Sequence, residues 1–193
     1  MEIKSAKFVT SLANYGPFTG KGLKQIAIAG KSNVGKSSLI NGLCRAKGLA
    51  KTSSTPGKTR LINVFLINDT IHLIDLPGYG YAKVSKSEQQ RWGSMMQGYF
   101  EKADELKVML LLVDIRHEPS TGDIEMVEFL RAGHIPFIVA ATKADKLSRA
   151  QRQRSLMIVA RTLLVQPWEI TPWSSQTGEG REALLAELGK HLD

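Results

Sequence analysis

The sequence predicts an α/β fold, with a mostly parallel six-stranded sheet, one antiparallel edge and helices on both faces. Three observations predict it. Apolar runs of strand length alternate with segments of helical spacing along most of the chain. Two of the runs, 108–114 (VMLLLVD) and 135–141 (IPFIVAA), are almost continuously apolar, as parallel strands covered on both faces are. A Gly-rich turn joins the first of the alternating strands directly to the first helix.

The elements follow in order. Residues 25–29 (QIAIA) form a short strand, and 36–44 (KSSLINGLC) form a helix with Leu39, Ile40 and Leu43 on one face. Residues 45–60 are polar, broken by Pro56-Gly57, and read as a long loop. Strands 61–67 and 71–75 flank a turn at Asn68-Asp69, which supplies the antiparallel edge. A second loop covers 77–85, and Ser87 is the expected cap of a helix running to about residue 102. Strand 108–114, a helix over 121–132 and strand 135–141 come next. A helix capped by Ser148 runs to about residue 165, followed by a short strand at 169–172 and a terminal helix over 179–192. Residues 1–20 are expected to be an N-terminal extension packing on the domain; Ile3, Phe8, Val9 and Leu12 suit either an added strand or packing across it. Residues 21–193 are expected to be one domain.

Composition narrows the function. The chain has 193 residues, 42% hydrophobic and 23% charged, which suits a globular domain with a core of its own. No apolar run has the length of a membrane helix, and the N-terminal residues lack the pattern of a secretory signal, so a cytoplasmic protein is expected. The single cysteine, Cys44, excludes an intramolecular disulfide and reads as a small core residue. The net charge is +8, yet residues 3–68 contain no Asp or Glu and eleven Lys or Arg. This concentration suggests a polyanionic partner, either nucleotide phosphates or a nucleic-acid backbone.

Gly30-Lys31-Ser32-Asn33-Val34-Gly35-Lys36-Ser37 matches GxxxxGK[ST], between a strand and a helix as that pattern requires. Backbone N–H groups in such a loop wrap phosphate oxygens at the positive end of a helix. Lys36 is then expected on the β- and γ-phosphates and the Ser37 hydroxyl on Mg²⁺. Asp75-Leu76-Pro77-Gly78, at the end of a strand, supplies a carboxylate toward Mg²⁺ through water and a Gly78 N–H toward the γ-phosphate. Thr142-Lys143-Ala144-Asp145 matches NKxD with Thr in place of Asn. A carboxylate at Asp145 accepts from guanine N1–H and its 2-amino group; adenine has neither donor and would leave the carboxylate unpaired. Ser174, Ser175 and Gln176 follow the last strand, where a backbone N–H commonly meets guanine O6. The loop Thr55-Pro56-Gly57-Lys58-Thr59-Arg60-Leu61 holds the first switch, with Thr59 favoured over Thr55 to complete the Mg²⁺ shell. Together these motifs predict a P-loop GTPase, a G domain, cycling between GTP and GDP. Two alternatives are a P-loop ATPase or nucleotide kinase, disfavoured by TKAD, and a basic RNA-binding module in which nucleotide binding is regulatory or vestigial.

Two residues bear on the rate. Tyr79 stands where many GTPases carry the glutamine that orients the attacking water, so slow intrinsic turnover is expected. Asn33 resembles the loop asparagine that in several related GTPases helps hold K⁺ beside the phosphates, so K⁺ is a candidate second cofactor; a turn residue bonding its own backbone is the alternative.

The chain resembles the EngB family (also YihA/YsxC) of small bacterial GTPases in the translation-factor-related class. The resemblance rests on GKSNVGKSSLIN from Gly30, TPGKTR from Thr55, DLPGYGYAKV from Asp75 and TKADK from Thr142, and it extends from about Leu23 to the end. It implies a cytosolic GTPase acting in large ribosomal subunit assembly and linked to septation and cell division. The expected partners are GTP, GDP and the large subunit or its rRNA, with no membrane; a monomer is expected. Two basic surfaces are candidates for rRNA: Lys47, Lys51, Lys58 and Arg60 in the first switch loop, and the helix bearing Arg149, Arg152, Arg154 and Arg161.

Overall fold

A computed structural model describes residues 1–13, 22–51, 61–80 and 86–192. Strands β1 (Ala6–Leu12), β2 (Lys24–Gly30), β3 (Ile62–Ile67), β4 (Ile71–Asp75), β5 (Leu106–Asp114), β6 (Phe137–Thr142) and β7 (Ile170–Pro172) form one sheet. Their spatial order is β1-β3-β4-β2-β5-β6-β7. β3 pairs antiparallel with both neighbours, and the ladders from β4 through β7 are parallel. Helices α1 (Lys36–Cys44), α2 (Lys86–Phe100), α3 (Thr121–Ala132), α4 (Arg149–Leu163) and α5 (Arg181–Lys190) cover it. The expected α/β architecture is present. The sheet has seven strands rather than six, because part of the N-terminal extension joins its edge. α2 begins at Lys86, so Ser87 lies in its first turn and is not the cap expected of it.

Strand alternation divides the core. Ile26 and Ile28 of β2, with Val108, Leu110 and Leu112 of β5, pack under α1 and α5 against Leu39, Leu43, Leu184 and Leu188. Ala27, Ala29, Met109, Leu111 and Val113 point the opposite way, toward Tyr99 of α2, Val127 and Leu130 of α3 and Val159 and Leu163 of α4. Both faces of β5 are therefore buried, which accounts for its unbroken apolar run. Each such Leu or Val contributes about 1.5–3 kcal/mol by leaving water. Cys44 closes α1 inside this core, and burial raises its thiol pKa to about 11.

The edge is built differently. Asn68 and Asp69 both have positive φ, 51° and 57°, and Thr70 N–H donates to Ile67 O, the two-residue hairpin turn that asparagine and aspartate tolerate best after glycine. β1 then pairs with β3 through an irregular register: Phe8 faces Phe65 and Thr10 faces Val64, leaving Val9 as an extra residue. That bulge breaks the period-two pattern of the segment.

β2 lies between β4 and β5, which the chain visits in opposite directions across the sheet. The C-terminal ends of these strands border the crevice where α/β folds bind ligands.

Candidate nucleotide-binding site

The phosphate loop leaves β2 at Gly30. A Cβ there would lie 2.9 Å from both Leu112 O and Val34 Cγ1, so only glycine lets the loop start against β5. Asn33 (φ 63°) and Gly35 (φ 108°) adopt left-handed backbone, and Val34 N–H turns back onto Lys31 O. Gly35 caps α1 without a side-chain acceptor, and the first turn carries no acid. The N-terminal amides of α1 are thus left to an anion.

Lys36 Nζ stands 3.5 Å from Asp75 Oδ1, with both side chains largely buried. Asn63 Nδ2 donates to the other carboxylate oxygen at 3.2 Å. Oδ1 is buried and has no hydrogen-bond partner among the described residues. A buried carboxylate oxygen without a hydrogen bond, 3.5 Å from the Lys36 ammonium, fits the outer sphere of a divalent cation held mainly by a hydroxyl such as that of Ser37, waters and phosphate oxygens. Leu61 leads into β3, while Thr55 and Gly57, Lys58, Thr59 and Arg60 lie outside the described residues.

The segment after β4 runs along the loop. Leu76 N–H donates to Ile28 O, and a Cβ on Gly78 would sit 3.2 Å from Ser32 N, Cα and Oγ. Pro77 O accepts from Trp92 Nε1 at 3.1 Å. Tyr79 joins the two segments: its N–H donates to Gly30 O at 3.3 Å, and its carbonyl accepts Ser32 N–H at 2.9 Å. Its phenol turns inward and donates to Asp123 Oδ1 at 2.7 Å. Burial, then the Asp123 charge, hold that phenol well above its ordinary pKa. Asp123 also accepts Ser120 N–H and Oγ–H, both at 2.7 Å.

Residues 142–145 are tied to the loop after β2 across more than a hundred residues. Thr142 Oγ1 donates to Val34 O at 2.7 Å, with Val113 O at 3.1 Å, so threonine supplies a donor at the position where NKxD has asparagine. Lys143, in left-handed backbone, extends Nζ to Asn33 O at 2.9 Å and Asp114 Oδ2 at 2.8 Å. Arg116 Nε and Nη2 grip the same carboxylate at 2.9 and 2.7 Å. Against the opposing effect of burial, these bonds hold Asp114 far below the usual carboxylate range.

Asp145 Oδ1 accepts Ser174 Oγ–H at 2.7 Å, and Lys146 Nζ lies 3.1 Å from Oδ2. The Ser174 bond is the chief cause that keeps Asp145 below its ordinary pKa. Ser174 is fully buried, and its Oγ also accepts Gln176 and Thr177 N–H, both at 3.2 Å. One hydroxyl therefore sets the shape of the loop carrying Ser175 and Gln176, which are exposed, and orients the carboxylate. Ala144 N–H donates to Trp173 O at 3.0 Å, docking the two segments. Arg152 Nη2 holds Ala144 O at 2.8 Å while its Nη1 pairs with Glu179.

The structure thus places residues 30–37, 75–78, 142–145 and 174–176 at the C-terminal ends of β2, β4, β6 and β7. Sequence reasoning missed Asp114, Arg116, Asp123 and Asn63. Asp114 carried a signal, an acid at the C-terminal end of a buried parallel strand. The others are recognisable only through their partners.

Residues 25–143 match a family described as 50S ribosome-binding GTPase, which places the chain among the P-loop GTPases. A probable GTP-binding protein EngB from Pelotomaculum thermopropionicum is 48% identical over 191 residues, covering 98% of this chain and 96% of the relative. Another from Exiguobacterium sibiricum is 48% identical over the full length of both chains. The chain belongs to the EngB family. A crystal structure of a probable GTP-binding protein engB superposes with TM-score 0.72 at 29% identity, covering 87% of this chain and 98% of that one. Era, in complex with MgGDPNP and nucleotides of 16S ribosomal RNA, superposes with TM-score 0.66 at 28% identity over 88% of this chain and 57% of its own.

Proposed function

We propose that this protein binds GTP with Mg²⁺ at the site described and hydrolyses it slowly to GDP and phosphate. In this reading it acts as a cytoplasmic monomer in large ribosomal subunit assembly, on which normal septation and cell division depend. The observation that carries the reading is the Lys36–Asp75 pair at the start of α1, with the segment that bears Asp145 tied to the same loop by Thr142 on Val34 O and Lys143 on Asn33 O. The chain's membership in a ribosome-binding GTPase family supports the choice of partner.

Residues 30–37 hold the phosphates, with Lys36 on the β- and γ-oxygens. Ser37 and Thr59 are the Mg²⁺ ligands, and Asp75 acts through water; the ion, when bound, neutralises charge on the phosphates. Asp145 reads guanine N1–H and the 2-amino group, Lys143 covers the base plane, and the loop of Ser174, Ser175 and Gln176 meets O6. Residues 45–60 and 77–85 respond to the γ-phosphate. Turnover is slow because Tyr79 has no carboxamide, and its phenol is committed to Asp123. The ribosomal particle, or K⁺ held with the help of Asn33, supplies the missing stimulation.

The test is co-sedimentation with purified large subunits in the presence of GTP, GDP or ATP, with turnover measured in parallel. GTP-dependent association and faster turnover on the particle are expected; binding of ATP as tightly as GTP overturns the GTPase reading. Turnover in KCl against NaCl at equal ionic strength, for the wild type and Asn33→Ala, decides the K⁺ role. Equal rates in both salts remove it.

A further inference from the structure

α4 carries four arginines and no acid in fifteen residues. Arg152 is spent inside the protein, on Ala144 O and Glu179. Arg149, Arg154 and Arg161 are exposed, and none forms an ion pair among the described residues. Arg154, Met157, Ile158 and Arg161 follow the i, i+3, i+4, i+7 spacing of one helix face. That face is unusual for its apolar content. Met157 is 51% exposed, Ile158 47%, Leu164 77% and Trp168 80%, four of the six large hydrophobic side chains exposed among the described residues.

Trp168 is displayed from a fixed base. It lies in the 3₁₀ turn Pro167–Glu169, which packs against α4 and starts with a proline. Glu169 Oε2 accepts Gln166 N–H at 2.6 Å, closing the turn. Arg131 Nη2 holds Leu163 O at 3.0 Å and Leu164 O at 2.6 Å, fixing the end of α4 beside it. An exposed indole on an ordered turn that packs against α4, a helix whose Arg149, Arg154 and Arg161 form no ion pair among the described residues, offers the two properties that binding of single-stranded nucleic acid requires. The arginines meet phosphates, and the ring offers a face for an unpaired base. A duplex would present only its backbone and groove, leaving the indole without a partner.

We propose that the outer face of α4 with Trp168 is a docking platform for single-stranded RNA, with Arg154 and Arg161 on phosphates and Trp168 stacked on an unpaired base. This rests on the ribosomal reading above and assigns its RNA contact to α4 rather than to the basic loop after α1. The charge pattern favours RNA over a protein: three exposed arginines on a helix without an acid repel other basic surfaces, and the most exposed apolar side chain beyond Met157 and Ile158 is a flat indole.

The test uses the full chain with a labelled 12-nucleotide mixed-sequence RNA, the same RNA as a duplex, and purified large subunits. The variants are Trp168→Ala, Trp168→Phe, Arg154→Ala with Arg161→Ala, and Lys47→Ala with Lys51→Ala. Trp168, Arg154 and Arg161 lie outside the nucleotide site, so melting temperature and GDP affinity are expected to stay at wild-type values in their variants; the lysine variant, in the 45–60 loop, is compared at matched nucleotide saturation. Trp168→Ala should weaken single-stranded binding about tenfold, while Trp168→Phe stays within about twofold because a ring remains. The double arginine variant should reduce the slope of log affinity against log salt by about 1.4, and Trp168→Ala should leave that slope unchanged. Wild-type affinity in Trp168→Ala, or a slope change in the lysine variant alone, overturns the proposal. So does loss of large-subunit binding in Trp168→Ala with RNA binding intact, which identifies a protein as the occupant, or a dimer that Trp168→Ala dissolves. If the wild type binds RNA through Trp168 but does not associate with large subunits, the platform stands and the ribosomal reading falls.

Discussion

Thr142→Val removes one oxygen from a buried position and keeps the branched shape of the side chain. Thr142 is 2% exposed, and its hydroxyl has a single proton to share between Val34 O at 2.7 Å and Val113 O at 3.1 Å. The shorter bond takes it. Losing that bond costs about 1 kcal/mol net, and a buried carbonyl left without its donor brings the total to about 1–3 kcal/mol. For a chain of this length each kcal/mol moves the melting temperature by roughly 2–4 °C, so a fall of about 4–8 °C is expected for the middle of that range. The effect should extend to the ligand, because Val34 lies inside the phosphate loop and its carbonyl is what β6 holds. A drop in GDP affinity of about tenfold corresponds to 1.4 kcal/mol of lost loop order. Thermal melts without nucleotide and fluorescent-GDP titrations measure the two effects separately. Thr142→Ser keeps the donor and should retain the affinity. A Thr142→Val protein with wild-type melting and wild-type GDP affinity would refute the claim that this hydroxyl ties residues 142–145 to the loop after β2.

Three further outcomes are expected. Asp145→Asn should weaken GTP binding by roughly 3 kcal/mol, as expected for lost charge-assisted bonds to a base, and shift preference toward xanthosine nucleotides; competition binding reads both. Asp145 has a lowered folded-state pKa, so its stabilising contribution is present above the ordinary carboxylate pKa and is lost only as pH falls through the lower folded value. Ser174→Ala removes the main cause of that lowering, so the acid-side loss of GDP affinity should move to higher pH in a titration; an unmoved profile contradicts it. Tyr79→Phe deletes the buried bond to Asp123, which keeps Ser120 as a donor, and should cost about 1 kcal/mol in urea unfolding while leaving intrinsic GTP turnover unchanged.

By itself, the sequence determined the α/β class and the P-loop GTPase family, because both are written in local patterns. A phosphate loop is made of consecutive amides between a strand and a helix, so the glycines, Lys36 and Ser37 are legible as a string. The unbroken apolar run of β5 is equally local, since it needs only that both faces be covered. Tertiary structure decided how the motifs support one another. Thr142 reaches Val34 across 108 residues and Lys143 reaches Asn33 across 110, and no spacing rule foretells a hydrogen bond at that distance along the chain. The inward turn of Tyr79 likewise depends on where α3 places Asp123. The strand within residues 1–20 escaped a firm assignment because the bulge at Val9 breaks the alternation by which a strand is read. Arg152 and Arg154 look alike in the sequence, two residues apart on one basic helix. Only packing separates the one that braces Ala144 from the one that faces water, because a two-residue step on a helix turns the side chain through about 200°.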